Sequence, residues 1–245
     1  MRAAAEVVVE ERDGRLAFPV LRSEPPILLR PTASALILQA GAAGPVGGDD
    51  LSLKIVLTEG VSIAMTTVGA TVVLPGTSES RFLIDITIGR NSTLLWNPHP
   101  LISVIESDHH QQMTIEIAPG GTLSLLETIV LGRSNEPPGH LRNTLRVTAS
   151  GLPILHQNLD LGGDGAGCGW SGPAVTAGHR VLTTALDIGP KVSPRTEASI
   201  VEELARGLRT PLRNDAELTQ TLGHDVPSSH ALAHRLRAKS EHKDQ

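Results

Sequence analysis

The chain has 245 residues, of which 40% are hydrophobic, and its 26 acidic and 21 basic residues give a formal net charge of −5. This length accommodates one domain, or two small ones, with a sizeable apolar core. The acidic balance and the small number of aromatic residues (two Phe, two Trp and no Tyr) argue against nucleic acid as a partner. The single cysteine excludes a disulfide framework or a CxxC site, so we expect a reducing, cytoplasmic location.

The N-terminal segment is predicted to be a strand. Its valines at positions 7–9 are flanked by Glu6, Glu10 and Glu11, so the segment lacks the apolar centre of a signal peptide. The longest uncharged run, residues 60–78, is about half Gly, Ser, Thr and Pro, which makes it too polar for a membrane-spanning helix. We therefore expect buried strands there and no membrane segment.

From Leu51 onward, apolar residues alternate with period two, which is typical of half-buried strands. Three segments resemble one another, and each contains a turn glycine: residues 55–67 with Gly60, residues 84–97 with Gly89, and residues 115–127 with Gly120. The spacings of 29 and 31 residues suit an architecture in which each unit adds a hairpin or coil to a stack. The sequence thus predicts a mainly β fold, either β-helix-like or built from layered strands.

Further strands are predicted over residues 144–149, 152–160 and parts of 174–188, and a glycine-rich loop carrying Cys168 interrupts this series at 161–173. Cys168 has no neighbouring base or positive charge that would lower its pKa, so we interpret it as an incidental thiol. After Pro190 the pattern favours three short helices, over residues 196–208, 214–222 and 228–239. We therefore divide the chain into a β-rich body (1–190) and a helical C-terminal region (191–245).

Two groups of histidines have the residue types of a metal site. His230 and His234 are four residues apart on a predicted helix, which would place both imidazoles on one face. No glutamate of the HExxH type and no third ligand accompany them, so a solvated helix is the preferred interpretation. Glu106 and Asp108 precede His109 and His110 in a segment that we predict to be a surface turn, although it could collect a divalent ion weakly.

No nucleophile elbow, phosphate-binding loop or dinucleotide motif is present in the sequence, which favours a role other than catalysis. Polar groups do interrupt the strand pattern in three places: Asp49 before a strand, Thr66 and Thr67 at a strand end, and Arg133 with Glu136 near a Pro-Pro-Gly turn. Each of these places alone is an ordinary turn or strand end.

Taken in chain order, these places resemble the urease accessory protein family UreD, also called UreH. That family has a GGD-x-L segment, an LTTQ segment, a Leu-x-Trp-Leu-Pro type sequence and a Leu-Gly-Arg turn. The counterparts here are GGDDL at 47–51, AMTT at 64–67, LLWNPHPLI at 94–102 and ETIVLGR at 127–133. Order and spacing agree over roughly residues 30–190.

The resemblance implies a stack of strands with a small helical C-terminal part, and a protein that is not an enzyme. It implies a scaffold that binds UreF and the GTPase UreG, contacts the urease apoprotein and conducts nickel through an internal tunnel without binding it stably. By position, Asp49 corresponds to the aspartate of GGD and Arg133 to the arginine of Leu-Gly-Arg. A nickel path needs oxygen ligands that hold the ion weakly, and Asp49 and Glu136, together with Thr66 and Thr67, are of the right type.

Two other functions compete with this interpretation. One is a β-solenoid interaction scaffold that has nothing to do with metals. The other is an enzyme whose acid and base are separate carboxylates such as Asp49 and Glu136, since paired carboxylates can lie far apart in sequence.

Overall fold

The computed structural model describes residues 1–163, 169–192, 195–213 and 215–238. These residues form strands, one 3₁₀ turn at Gly169–Ser171 and one α-helix. In chain order the elements are β1 (Arg2–Arg12), β2 (Arg15–Arg22), β3 (Ile27–Pro31), β4 (Ala35–Ala40), β5 (Asp50–Leu57), β6 (Ser62–Thr67), β7 (Thr71–Val73), β8 (Ser80–Ile88), β9 (Thr93–Trp96), β10 (Leu101–Ser103), β11 (Asp108–Ile117), β12 (Thr122–Leu131), β13 (His140–Ala149), β14 (Leu152–Leu161), β15 (Val181–Ile188), β16 (Ala198–Val201), β17 (Ala205–Leu212), β18 (Ala216–Gly223) and α1 (Val226–Arg237).

The strands form two sheets that enclose the core. The first sheet has seven strands in the order β14-β13-β11-β8-β5-β1-β2. The second sheet has eleven strands; its main path is β16-β17-β18-β15-β12-β9-β6-β4-β3, and β10 pairs with both β12 and β7. The predicted mainly β architecture of stacked strands is confirmed.

The sequence repeat is a repeat of coils. In each unit the chain runs along the first sheet (β5, β8, β11), turns, and returns along the second sheet (β6, β9, β12), and equivalent strands of successive units pair in parallel. The register corrects one detail of the predicted alignment. The turn residue with positive φ is Gly60 in the first unit, Asn91 in the second and Gly120 in the third, so Asn91, rather than Gly89, is equivalent to the two glycines.

The alternating apolar residues form ladders between the sheets. Pairing brings together one inward-facing residue from each of five neighbouring strands of the first sheet, and all five are at most 2% exposed: Val7, Ile55, Ile86, Ile115 and Val147. Aliphatic side chains of similar size stack well on a pleated surface, which explains how a core can form with so few aromatic residues.

The C-terminal region differs from the prediction. The helices predicted over residues 196–208 and 214–222 are not found in the described part of the chain, where β16, β17 and β18 lie instead. β18 pairs antiparallel with β15, β17 with β18 and β16 with β17, so the second sheet continues past residue 190. Pairing with an existing strand edge outweighs the helical spacing of the apolar residues. The third predicted helix is confirmed as α1, whose N-cap residue Asp225 accepts a hydrogen bond from the N–H of Ser228. The described residues contain no helix with the length and apolar character needed to span a bilayer.

Candidate functional site

The second sheet is interrupted at the same level in two successive coils. β6 ends at Thr67 and β7 begins at Thr71, while β9 ends at Trp96 and β10 begins at Leu101. Pro98 and Pro100 have no N–H group and so cannot donate to a ladder. We call residues 68–70 and 97–100 the sheet gap.

The neighbouring strand β12 is continuous past the sheet gap. It pairs with β9 as far as Leu125 and with β10 from Ile129 onward, so residues 126–128 pair with β15 on one side and have no strand partner on the other among the described residues. Glu127 lies at the centre of this unpaired stretch, and its side chain points between the sheets.

Glu127 is a buried carboxylate held by two neutral amides. Gln111 Nε2 donates to Glu127 Oε1 at 2.7 Å, and Asn143 Nδ2 donates to Glu127 Oε2 at 2.9 Å. Burial raises the pKa of Glu127, although the hydrogen bonds from Asn143 and Gln111 favour the ionised form. We call Gln111, Glu127 and Asn143 the polar layer; it separates the large apolar cluster that contains Ile115 from a smaller one around Leu131.

Two cavities lead from the surface toward the polar layer. The outer one, of about 240 Å³, is open and lined by residues of the sheet gap and by Gly44 and Pro45. The inner one, of about 30 Å³, is lined by Gln111, Glu127 and His99 among others and is large enough for a water molecule. Residues shared by both linings mark where the cavities adjoin: Leu38, Thr67, Thr71 and Phe82.

A second buried polar group lies one step along the same strands. His109 is fully buried and its Nδ1 lies 2.8 Å from Ser80 Oγ, while its Nε2 has no hydrogen-bond partner among the described residues. Burial and, to a smaller degree, the charge of His110 lower the pKa of His109 to about 4. His109 is therefore neutral at physiological pH.

A family model described as "UreD urease accessory protein" matches residues 1–242 of the chain. The chain belongs to the UreD family. It is 32% identical over 247 residues to urease accessory protein UreD 2 of Saccharopolyspora erythraea, covering 96% of this chain and 86% of that protein. It is 34% identical over 235 residues to UreD of Streptomyces coelicolor, covering 92% and 91%. It is also 39% identical over 194 residues to UreD 3 of Streptomyces griseus, covering 74% and 75%. Membership of this family of accessory proteins supports a role in urease maturation.

The four segments that resemble UreD converge on the cavities. AMTT ends at Thr67, which lines both cavities, LLWNPHPLI contains part of the sheet gap, and ETIVLGR begins with Glu127. The GGDDL segment follows Gly44 and Pro45 of the outer cavity. A UreD motif set spread over 87 residues of sequence, 47 to 133, thus surrounds one region of the fold.

Asp49 itself does not line either cavity. It is 5% exposed, its Oδ1 accepts a hydrogen bond from the Met1 amino group at 2.6 Å, and its Oδ2 accepts one from Val46 N–H at 2.9 Å. Burial opposes ionisation, but these two hydrogen bonds and the charge of the amino group keep the pKa of Asp49 below its usual value. In this structure Asp49 closes a turn beside the outer cavity.

The two threonines of the UreD-like segment face opposite sides of the second sheet. Thr67 points inward, donates to Gly69 O at 2.9 Å and accepts from His99 N–H at 2.9 Å, so it ties the two halves of the sheet gap together. Thr66 points outward and donates to Asn97 O at 2.7 Å. Only Thr67 is placed to contact an ion in the cavities.

Arg133 and Glu136 pair with each other in a surface loop. Arg133 Nε lies 3.1 Å from Glu136 Oε2, and the backbone N–H of Ile105 donates to Glu136 Oε1 at 3.0 Å. The hydrogen bond from Ile105 and those from Arg133 lower the pKa of Glu136. Neither residue lines the two cavities, and Asp49 and Glu136 have no hydrogen-bond partner in common among the described residues.

Sequence reasoning did not single out Glu127, although a signal for it was present. Inward-facing positions of β12 are Leu123, Leu125, Glu127, Ile129 and Leu131, so a charged residue occupies a core position of an otherwise apolar alternation. Gln111 in β11 and Asn143 in β13 break the alternation in the same way.

The histidine predictions have mixed outcomes. The segment around His109 is not a surface turn, because Asp108, His109 and His110 begin β11 and His109 is buried. His140 Nδ1 lies 2.9 Å from Asp108 Oδ1 and His140 Nε2 lies 2.8 Å from Asp160 Oδ1, so each ring nitrogen faces a carboxylate. Groups of three or more His, Cys, Asp and Glu that could hold a metal ion do not occur in the described parts of the chain.

The two histidines on α1 differ in exposure. His234 is exposed, as expected for a solvated helix face, whereas His230 is half-buried and its Nε2 lies 2.8 Å from Thr128 Oγ1 on β12. Burial, followed by the charge of His234, lowers the pKa of His230. Cys168 lies outside the described residues.

Proposed function

We propose that this UreD protein delivers nickel to the urease apoprotein as a scaffold with UreF and the GTPase UreG in the cytoplasm, and that the ion passes through the sheet gap to Glu127. The single observation that carries the nickel path is the placement of Glu127, a buried carboxylate that has no cationic partner among the described residues and lies beside a water-sized cavity that adjoins an open one. Family membership supports a role in urease maturation, and UreF, UreG and the urease apoprotein are the partners that the resemblance to UreD implies.

The chemistry of the lining supports a divalent borderline cation as cargo. Glu127 and Gln111 offer oxygen ligands, Thr67 a hydroxyl, and His99 is the imidazole among the residues of the inner cavity. Imidazole and oxygen ligands suit Ni²⁺, and a set with few charges holds it weakly enough for release. A positive ion beside Glu127 would also stabilise the carboxylate that burial destabilises.

A conduit needs an exit as well as an entrance. On the side away from the sheet gap, Glu127 is paired in register with Thr184, and Thr184 with Gln220. Gln220 Nε2 lies 3.4 Å from Thr184 Oγ1, and Gln220 lines a groove at the far edge of the sheets. These polar side chains mark the direction in which we expect the ion to leave.

The test is activation of urease in a host whose own ureD gene has been deleted. Glu127→Gln keeps the shape of the side chain but removes its charge, so we expect the complex with UreF, UreG and urease to co-purify in normal amount while the nickel content and activity of urease fall roughly 10-fold or more. Normal nickel content with an intact complex would contradict the path and favour the metal-free scaffold.

The neighbouring threonines provide a matched pair of variants. Thr67→Val removes a hydroxyl that lines both cavities, whereas Thr66→Val removes one from the opposite face of the same strand. We expect nickel delivery to fall in the first variant and to stay normal in the second. Equal loss in both would indicate that the strand end matters for folding rather than for the ion.

A further inference from the structure

An apolar groove of about 480 Å³ lies at the far edge of the two sheets. Its walls are β14 of the first sheet, β16, β17 and β18 of the second, and residues 174–176. Apolar side chains dominate the lining, and three of them, Val175, Val201 and Leu208, are 48%, 74% and 38% exposed. Large aliphatic side chains exposed together are typical of a surface that binds another molecule.

The edge of the first sheet beside this groove has no strand partner in the part of the chain that the structure describes. β14 ends the sheet, and its ladder bonds are formed with β13 alone. An extended edge of this kind presents unpaired N–H and C=O groups to an incoming strand. Because a paired strand lies about 4.8 Å away, an added strand would lie over the groove.

Two buried polar atoms of the groove also have no partner among the described residues. One is the acceptor Gln157 Oε1 on β14, and the other is the donor Arg206 Nε on β17. Unpaired buried polar atoms are costly, and an unpaired guanidinium nitrogen favours a carboxylate above other partners. The groove thus combines an apolar floor, a free strand edge and one positive group.

From this combination we propose that the groove binds an extended segment of a protein partner, which pairs with β14 as an added strand, places alternate apolar side chains on Leu208 and Leu222, and sets a carboxylate against Arg206. A small carboxylate ligand would leave the edge of β14 unpaired. A second copy of the chain would bring Arg206 no carboxylate from the groove itself, because none of the described residues that line it is acidic. The proposal does not depend on the nickel path.

The test uses the purified full chain and labelled eight-residue peptides in which valine alternates with serine. One peptide carries glutamate at a central valine position, and a second carries glutamine there. A third replaces one serine of the first and the valine next to it by proline; because neighbouring N–H groups point to opposite sides of a strand, one of the two lost donors faces β14. Fluorescence anisotropy gives each Kd, and hydrogen exchange reports on the amides of β14.

We expect the glutamate peptide to bind and to slow exchange in β14, the glutamine peptide to bind about 10-fold more weakly, and the proline peptide not to bind. Arg206→Gln should bring the first two peptides to equal affinity. Leu208→Asp should abolish binding, whereas Leu83→Asp, which changes an equally exposed (38%) leucine on the outer face of the first sheet, should not affect it.

Three results would overturn the proposal. The first is that none of the peptides binds, the second is that the proline peptide binds as tightly as the glutamate peptide, and the third is that the preference for glutamate over glutamine persists in Arg206→Gln. A dimer by light scattering with β14 protected in the absence of peptide would assign the groove to a second copy instead.

Discussion

The space between the two sheets has two unlike ends. Toward the turns of Gly60, Asn91 and Gly120, both sheets are continuous and the interior consists of aliphatic ladders. Toward the other end the second sheet has the sheet gap, and the polar layer, Thr67 and His109 replace aliphatic residues at inward-facing positions. Polar side chains therefore collect where the backbone of one sheet is interrupted and water can enter.

This difference shows how one repeat serves two purposes. An apolar ladder gains stability from every coil added to the stack. A buried carboxylate or imidazole costs stability unless it is well paired, so its presence at the same level as the sheet gap indicates a role other than folding. The comparison predicts that substitutions at the two ends will differ in size and in pH dependence.

The largest effect is expected at the aliphatic end. Ile115 is fully buried in its ladder between Ile86 and Val147, so Ile115→Ala should lower the free energy of unfolding by about 2–5 kcal/mol through lost burial and the cavity left behind. Urea denaturation measures this change. Thr114→Ala on the outward face is the control and should change stability by less than about 1 kcal/mol. Similar losses in both would mean that the ladder is not the main source of stability.

The next effect is a pH dependence at the polar end. Burial lowers the pKa of His109 from 6.5 to about 4. Between these two pH values the imidazole is neutral in the folded chain and protonated in the unfolded chain. The resulting stability is present above pH 6.5 and is lost as the pH falls toward 4, by about 3 kcal/mol. His109→Asn should therefore lose less stability than the original chain between pH 7 and pH 4. The control is His156→Asn on the outward face of β14, whose free energy of unfolding should depend on pH as that of the original chain does. The same pH dependence in all three proteins would show that His109 is not the source of the effect.

The sequence allowed the aliphatic end to be predicted almost completely, because alternation and turn spacing are local properties. The turn residue of the second coil was misplaced because Asn91 adopts the positive φ that a glycine was expected to supply. The strands β16 to β18 were predicted as helices, since residues such as Ile200 and Leu208 also fit a helical spacing and only the neighbouring edge of β15 decides between the two.

The polar end was predicted in part. The UreD-like segments were found in order, and they do surround the cavities, but which of their side chains point inward depends on strand register. Thr67 and Thr66 are adjacent in sequence and face opposite sides. The oxygen ligands predicted from the sequence, Asp49 and Glu136, lie at turns. Glu127, the buried carboxylate that we propose as an ion ligand, lies inside a strand whose pairing is interrupted on one side.

The smallest effect concerns Glu127 and sharpens the comparison most. Burial raises the pKa of Glu127 above its ordinary value of 4.5, so the folded chain binds this proton more tightly than the unfolded chain. Stability therefore falls as the pH rises above 4.5 toward the folded pKa, and Glu127→Gln removes this dependence. Between pH 5 and pH 8 the variant should gain stability relative to the original chain, whereas Glu116→Gln, on an exposed side chain, should gain nothing measurable. Thermal unfolding at both pH values measures the difference. If Glu127→Gln is more stable at pH 8 but delivers less nickel, the carboxylate lowers the stability of the fold and serves the ion. If Glu127→Gln is less stable at pH 8, Glu127 is a structural group and the main support for the nickel path is lost.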